Sequence, residues 1–230
     1  MDRVYRRILS ALLDDIVTAR IAPGEWLPKV DDIAARHACG PNAAREAIRA
    51  LEERRVVAVH AGKGQEVLPS DRWNLLDRDV AEATLLRGGD QRLLAEAVDY
   101  LRHAEIVAAT LAVSSISDGD VAQMAQILDE MRAASRGGNG KPDYDDRFVA
   151  AETDFHRTLF LVTGNRFIAS GLEQLHPIIA TVRRQRAPDR DPSVIMLHAR
   201  IVAALEQRDR SAVAAAADAY GRHLASWLRV

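Results

Sequence analysis

Between Gly40 and Val67 the spacing of apolar residues changes from helical to strand-like, which limits this stretch to a helix followed by a two-stranded hairpin. Gly40-Pro41 marks the helix start, because proline is tolerated at the first helical position and glycine can cap it. Ala44, Ala47, Ile48 and Leu51 recur at i, i+3, i+4 and i+7, so one face of the helix is buried. Asn42, Arg45 and Arg49 fall three and four residues apart on another face and point together into solvent. The short apolar runs on either side of Gly62-Lys63-Gly64 read as a hairpin with a glycine tip.

An exposed row of one amide and two guanidinium groups suits the major groove, where Asn pairs bidentately with adenine and Arg with guanine or phosphate. Upstream, Val4, Ile8, Leu12 and Ile16 give a first helix over 3–20, and a second is expected over 29–38 with Val30, Ile33 and Ala34 inward. Three helices and a hairpin with a cationic tip make a winged helix-turn-helix. Residues 4–67 resemble the DNA-binding domain of the GntR family of bacterial transcription regulators. The resemblance rests on Ala22-Pro23-Gly24-Glu25-Trp26-Leu27-Pro28, the block Arg45 to Leu51, and the Gly62-Lys63-Gly64 tip. It departs from the family where Gly40, Pro41 and Asp31 replace Ser or Thr, Arg and, often, Arg. The implied DNA contacts are Lys29, Asn42, Arg45, Arg49, His60 and Lys63, with an altered base preference.

At 230 residues the chain accommodates two domains, and Leu68-Pro69-Ser70 marks the boundary: 1–69 for the winged helix-turn-helix and 70–230 for an effector-binding and dimerisation domain. Net charge is -2, which excludes generic polyanion binding. Residues 1–70 hold eleven Lys/Arg against ten Asp/Glu, about +1, so DNA contact must come from locally placed cations. The single cysteine, Cys39, excludes an internal disulfide framework. With no apolar leader and no run of the ~20 apolar residues a span requires, a cytoplasmic protein without membrane contact is expected.

After Val67 no period-two pattern returns. Alanine-rich, helix-periodic segments are expected at about 75–86, 90–115, 118–135, 144–163, 165–186, 191–207 and 210–229, separated by Gly, Asn, Asp and Pro clusters. The fold class is therefore mainly α: a winged helix-turn-helix followed by an all-α bundle. Trp73 to Val80 and the helical remainder are similar to the FadR-type subgroup, whose members carry an all-helical effector-binding (FCD) domain.

Glu152 and His156, four apart, place a carboxylate and an imidazole on one helix face, and His198 and His223 lie on two later helices. Three imidazoles and a carboxylate suit zinc or another divalent transition metal. The subgroup resemblance implies a site of this composition at Glu152, His156, His198 and His223, with Glu152 where Asp is usual. His198 and His223 are 25 residues apart, about three more than the family spacing, and three residues leave a helix about 60° short of a full turn. In the strict family register Tyr220 takes the ligand place; a longer loop around Arg208-Asp209-Arg210 restores His223. The competing reading is a metal-free pocket in which these histidines hydrogen-bond to a ligand, water or each other. Arg102, Asn165 and Tyr220 are expected to contact the effector. Phe155, Leu159, Phe160 and Leu161 read as core, Asp154 as a surface charge, and His103 and His176 receive no role.

These features point to a ligand-responsive transcription regulator, a repressor, acting as a homodimer on a pseudo-palindromic double-stranded operator and sensing a small carboxylate such as a sugar acid. The rival is a metal-dependent all-α enzyme acting on a small organic acid, with a decayed DNA-binding domain. No phosphate-binding loop, nucleophile elbow, paired cysteines or dinucleotide turn is present, so no enzyme activity is expected.

Overall fold

Five apolar residues on one face of α1 (Asp2–Val17), Ile8, Leu9, Leu12, Leu13 and Ile16, are buried and seed the first of two cores. The computed structural model describes residues 2–136, 142–186 and 193–228, and the chain divides into two compact units, Met1–Asp90 and Gln91–Val230. It is mainly helical, with an N-terminal winged helix-turn-helix and a C-terminal helical bundle.

In the first unit, α2 (Val30–Arg36) contributes Ile33 and Ala34 to the core. The helix α3 (Pro41–Glu53) begins with Gly40 at the cap and proline in its first turn, and buries Ala44, Ala47, Ile48, Ala50 and Leu51. Full burial of a side chain such as Leu51 stabilises the fold by roughly 1.5–3 kcal/mol. Strand β1 (Val57–His60) pairs antiparallel with β2 (Gly64–Val67), Val57 opposite Val67 and His60 opposite Gly64, and Trp26 bridges to Glu66 at the edge. Asp15 is buried in this core and accepts from Arg20 Nε (2.6 Å) and Arg36 Nη1 (2.8 Å), tying α1 to α2.

The helix expected over 75–86 is broken. A short 3₁₀ turn (Ser70–Arg72) is followed by α4 (Arg78–Glu82) and a π turn (Ala83–Arg87). Asp77 caps α4 by accepting from the Asp79 and Val80 amides, and Arg54 pairs with Asp77 at 2.9 Å and Asp79 at 2.8 Å. Gly88 closes the π turn: a Cβ there would stand 2.7 Å from the Thr84 carbonyl oxygen. Val80 and Ala83 pack into the same core as α1 and α3.

The second unit contains α5 (Gln91–Ala112), α6 (Asp118–Arg136), α7 (Pro142–Val162), α8 (Arg166–Arg186), α9 (Ser193–Glu206) and α10 (Arg210–Leu228). Their bounds fall within three residues of those read from periodicity. The expected Gly- and Pro-rich connections at 137–142 and 187–189 lie largely outside the described residues. Helix α5 packs on α7, α8 and α10, and α6 on α7 and α9. Gly221 allows the α5–α10 approach, since a Cβ there would stand 2.5 Å from Arg102 Cγ. Phe155, Leu159 and Phe160 are core; Leu161, expected with them, is 56% exposed because it turns to the outer face of α7.

Candidate nucleic-acid interface and buried donor centre

The exposed face of α3 carries Asn42, Arg45 and Arg49, all solvent-facing while Ala44, Ala47 and Ile48 anchor the opposite side. Asn42 Oδ1 accepts from Arg45 Nη1 at 3.0 Å, so the amide orients the neighbouring guanidinium. Lys29 stands exposed at the cap of α2, and Lys63 is exposed at the hairpin tip. His60 is also exposed, but its Nε2 lies 2.8 Å from Glu66 Oε2 and its ring meets Trp26 edge-on with centroids 5.3 Å apart. His60 is thus held along the wing by a carboxylate, unlike the three residues of α3.

The second unit concentrates polar groups in its interior. The buried stripes of α5, α7, α8, α9 and α10 are apolar except at one or two positions among the described residues. On α5, Leu94, Val98, Leu101, Glu105, Ala108 and Ala112 follow the helical period, and Glu105 is the charged member. On α7 the buried stripe holds Glu152 and His156, on α8 His176, on α9 His198, and on α10 Tyr220. All are at most 3% exposed.

These side chains converge in two groups. Glu152, His156 and His198 each offer a ligand atom within 4.8 Å of the others, and Glu105, His156 and His176 do the same. In the first group His156 Nε2 and His198 Nε2 are 2.9 Å apart, and Glu152 Oε1 is 4.0 Å from His198 Nε2. These distances bracket the donor separation of about 3.3 Å of a tetrahedral zinc site. His198 Nδ1 lies 2.7 Å from the Val194 carbonyl oxygen, which can only accept. Nδ1 therefore donates, leaving the Nε2 lone pair of the neutral ring directed into the cluster. Phe155 and Tyr220 wall it with ring contacts to His198 at 4.6 Å each. Two buried Glu/His triads of this chemistry can hold a divalent metal ion.

In the second group Glu105 Oε1 is 2.9 Å from His156 Nδ1 and 3.6 Å from His176 Nε2. Burial pushes the Glu105 carboxyl up to about 7, against the pull of His176 and His198; Glu152 adds to the rise. Sequence reading gave neither Glu105 nor His176 a metal role. The available signal was a charged or imidazole residue interrupting an otherwise apolar helical stripe.

His223 stands outside both groups. Tyr220 takes the inward position and donates from its hydroxyl to Glu152 Oε1 at 3.3 Å, while the half-buried His223 faces Trp227 with ring centroids 6.1 Å apart. The α9–α10 connection is short: α9 ends at Glu206, and Asp209 caps α10 by accepting from the Ser211 and Ala212 amides. No longer loop exists there to rotate His223 inward. Arg102 lies on the α5–α10 seam, donating from Nε to Asp218 at 2.8 Å. Asn165 caps α8, accepting from the Phe167 and Ile168 amides at 3.0 and 3.3 Å, and is exposed. Of the three residues expected to contact an effector, only Tyr220 adjoins the buried donors. Asp154 is exposed, and exposed His103 contacts Asp99 on its own helix.

An exposed amide–guanidinium face on a winged helix-turn-helix, carried with a helical domain whose interior gathers ligand-type donors, defines a DNA-binding regulator with a small-molecule effector domain. The chain belongs to the GntR family: the model of bacterial regulatory proteins, gntR family, matches residues 4–67, and that of the FCD domain matches 97–225. It is 29% identical over 145 residues to the galactonate operon transcriptional repressor of Escherichia coli K12, an alignment spanning 63% of this chain and 63% of that protein. It is 23% identical over 211 residues to the uncharacterized HTH-type transcriptional regulator YieP of the same organism, spanning 89% and 88%. The fold also matches the solved structure of Lar, which controls expression of the Listeria monocytogenes agr system, with TM-score 0.66 and 13% identity over 98% and 96% of the two chains. The family is one of transcription regulators, not enzymes. Among the described residues no helix is long and apolar enough to cross a membrane.

Proposed function

We propose that this protein is a homodimeric repressor whose operator affinity is lowered by a small carboxylate, with a sugar acid such as galactonate the first ligand to test. The carrying observation is the convergence of Glu152, His156 and His198 in the interior of the domain that accompanies the DNA reader. Each α3 enters one half-site of a pseudo-palindromic operator, where Asn42, Arg45 and Arg49 meet base edges and phosphates, while Lys29, His60 and Lys63 hold the flanking backbone. A DNA partner places this work in the cytoplasm.

The donor set fits zinc: Glu152, His156 and His198 would hold the ion with one carboxylate and two imidazoles. When bound, the ion would supply the positive charge that attracts a carboxylate effector. The chain's own residues orient these donors. His198 is fixed in tautomer by Val194, Glu152 is held by the Tyr220 hydroxyl, and the buried Phe155 ring packs edge-on against His198. Effector binding then favours one conformational state over another, and operator affinity changes by the same coupling. Support for a sugar acid comes from the galactonate repressor, with which this chain shares 29% identity.

A gel shift with DNA flanking the protein's own gene tests the reading. Operator binding that weakens on adding galactonate or another aldonate is expected. Binding that is indifferent to every aldonate tried removes the effector class, and failure to bind any flanking DNA removes the repressor.

A further inference from the structure

We propose that Glu105, His156 and His176 hold a divalent transition-metal ion of their own, distinct from the ion assigned above to Glu152, His156 and His198. The two sites share one ring. His156 presents Nε2 towards His198 at 2.9 Å and Nδ1 towards Glu105 at 2.9 Å, so its two nitrogens serve opposite sides. With both sides filled the ring would bridge the ions as an imidazolate, its remaining N–H proton released to solvent and both nitrogen lone pairs then available.

Three observations support the second site. Glu105 is 2% exposed, and among the described residues its ionisable partners within 4 Å are two imidazoles rather than a lysine or arginine. A carboxylate taken out of water without a fixed cation is costly, and a divalent ion removes that cost. Among the described residues Glu105 Oε1 makes no hydrogen bond although it stands 2.9 Å from His156 Nδ1. Short distance without hydrogen-bond alignment is the arrangement of donors aimed at a common centre. Finally, the donors come from three helices, α5, α7 and α8, and their ligand atoms lie within 4.8 Å of one another. Imidazole and carboxylate together suit zinc, cobalt or nickel.

The site borrows His156 from the proposed effector centre, so the experiment must separate the two. Full-length protein is freed of metal with a chelator and titrated with Co2+, following the visible absorption of the bound ion and counting equivalents by equilibrium dialysis. The wild type, Glu105→Gln, His176→Ala and His198→Ala are compared, with circular dichroism confirming the helical fold. Glu105→Gln conserves volume and covers the case in which His176→Ala fails to fold. The expected result is one ion that Glu105→Gln and His176→Ala weaken by at least about tenfold and His198→Ala retains, beside a second with the opposite dependence. If Glu105→Gln and His176→Ala bind as much Co2+ as the wild type, at affinities within about twofold, the inference is overturned. Loss or retention of an ion in His198→Ala decides the Glu152 site separately.

Discussion

The two units handle buried polarity in opposite ways. In the first, the buried polar side chains among the described residues are Asp15 and Thr84, and each is satisfied: Asp15 by Arg20 and Arg36, Thr84 by the Val80 carbonyl. The groups with recognition chemistry, Asn42, Arg45 and Arg49, all face solvent. In the second unit the interior holds Glu105, Glu152, His156, His176 and His198. A duplex is larger than the domain and must be met from outside, whereas a small ion or acid can be enclosed. Enclosure strengthens each electrostatic contact, because the effective dielectric falls. A buried carboxylate is therefore clamped by arginines in the first core, and in the second it stands among imidazoles that can hold a divalent ion.

His156→Ala should break this contrast most severely. It removes a donor from both triads at once. Transition-metal affinity should fall by more than about 100-fold, beyond what loss of an outer-shell partner costs. Operator binding in chelator-treated buffer should be unchanged, because α3 keeps its own core. Calorimetric metal titration and a gel shift on one preparation check both halves, and a variant that still binds the ion tightly refutes the shared-ring arrangement.

Glu105→Gln sharpens the contrast through pH. The folded-state carboxyl titrates at about 7 against an ordinary value of 4.5. Between those values the folded chain holds more protons than the unfolded one, so this group's effect on stability is a loss as pH rises through that window. Its size is on the order of 3 kcal/mol in metal-free protein. The amide cannot ionise, so the variant should be the more stable chain at pH 8 and near parity at pH 4.5. Contributions common to both chains cancel in the difference. Urea denaturation in chelator at the two pH values provides the measurement, and parallel pH profiles would show that Glu105 carries no such burden.

What sequence could disclose follows from how local each feature is. The α3 face depends on spacing within one helix, and Asn42, Arg45 and Arg49 lie in solvent as their positions require. The bundle helices follow from periodicity and turn chemistry in the same way. The interrupted segment after Pro69 does not, because Arg54, distant in sequence, holds Asp77 and Asp79 and fixes where α4 begins. Tyr220 and His223 lie on one helix three residues apart, and sequence left both open; packing decides, burying Tyr220 against Glu152 and turning His223 to Trp227. Glu105 and His176 received no metal role because each is one buried polar residue on the otherwise apolar buried stripe of its helix, among the described residues. Their chemistry appears only when α5, α7 and α8 meet.

Arg45→Ala tests the outward-facing half. If the Arg45 guanidinium contacts a base edge bidentately, as proposed, its removal should weaken specific operator binding by roughly 1–3 kcal/mol, with little effect on non-specific DNA. The Asn42 amide, which now accepts from Arg45, is left to solvent, so Asn42→Ala should reproduce part of the loss. Metal titration of Arg45→Ala should match the wild type. Fluorescence anisotropy on operator and scrambled duplexes distinguishes base reading from phosphate contact, since phosphate contact predicts equal losses on both.

Asp15→Asn is the counterpart of Glu105→Gln: the same carboxylate-to-amide change in the other core, with the opposite expected sign. Asp15 accepts charge-assisted bonds at 2.6 and 2.8 Å from Arg20 and Arg36, and the amide retains at most one acceptor oxygen for them. The arginine side chains are 60% and 57% exposed, so water and salt screen much of the attraction. A destabilisation of about 1 kcal/mol is expected, smaller at high ionic strength. Denaturation at low and high salt measures it. If Asp15→Asn instead stabilised the chain, the buried carboxylate of the first unit would resemble Glu105, and the division between a clamping core and a cradling core would fail at the residue that best defines it.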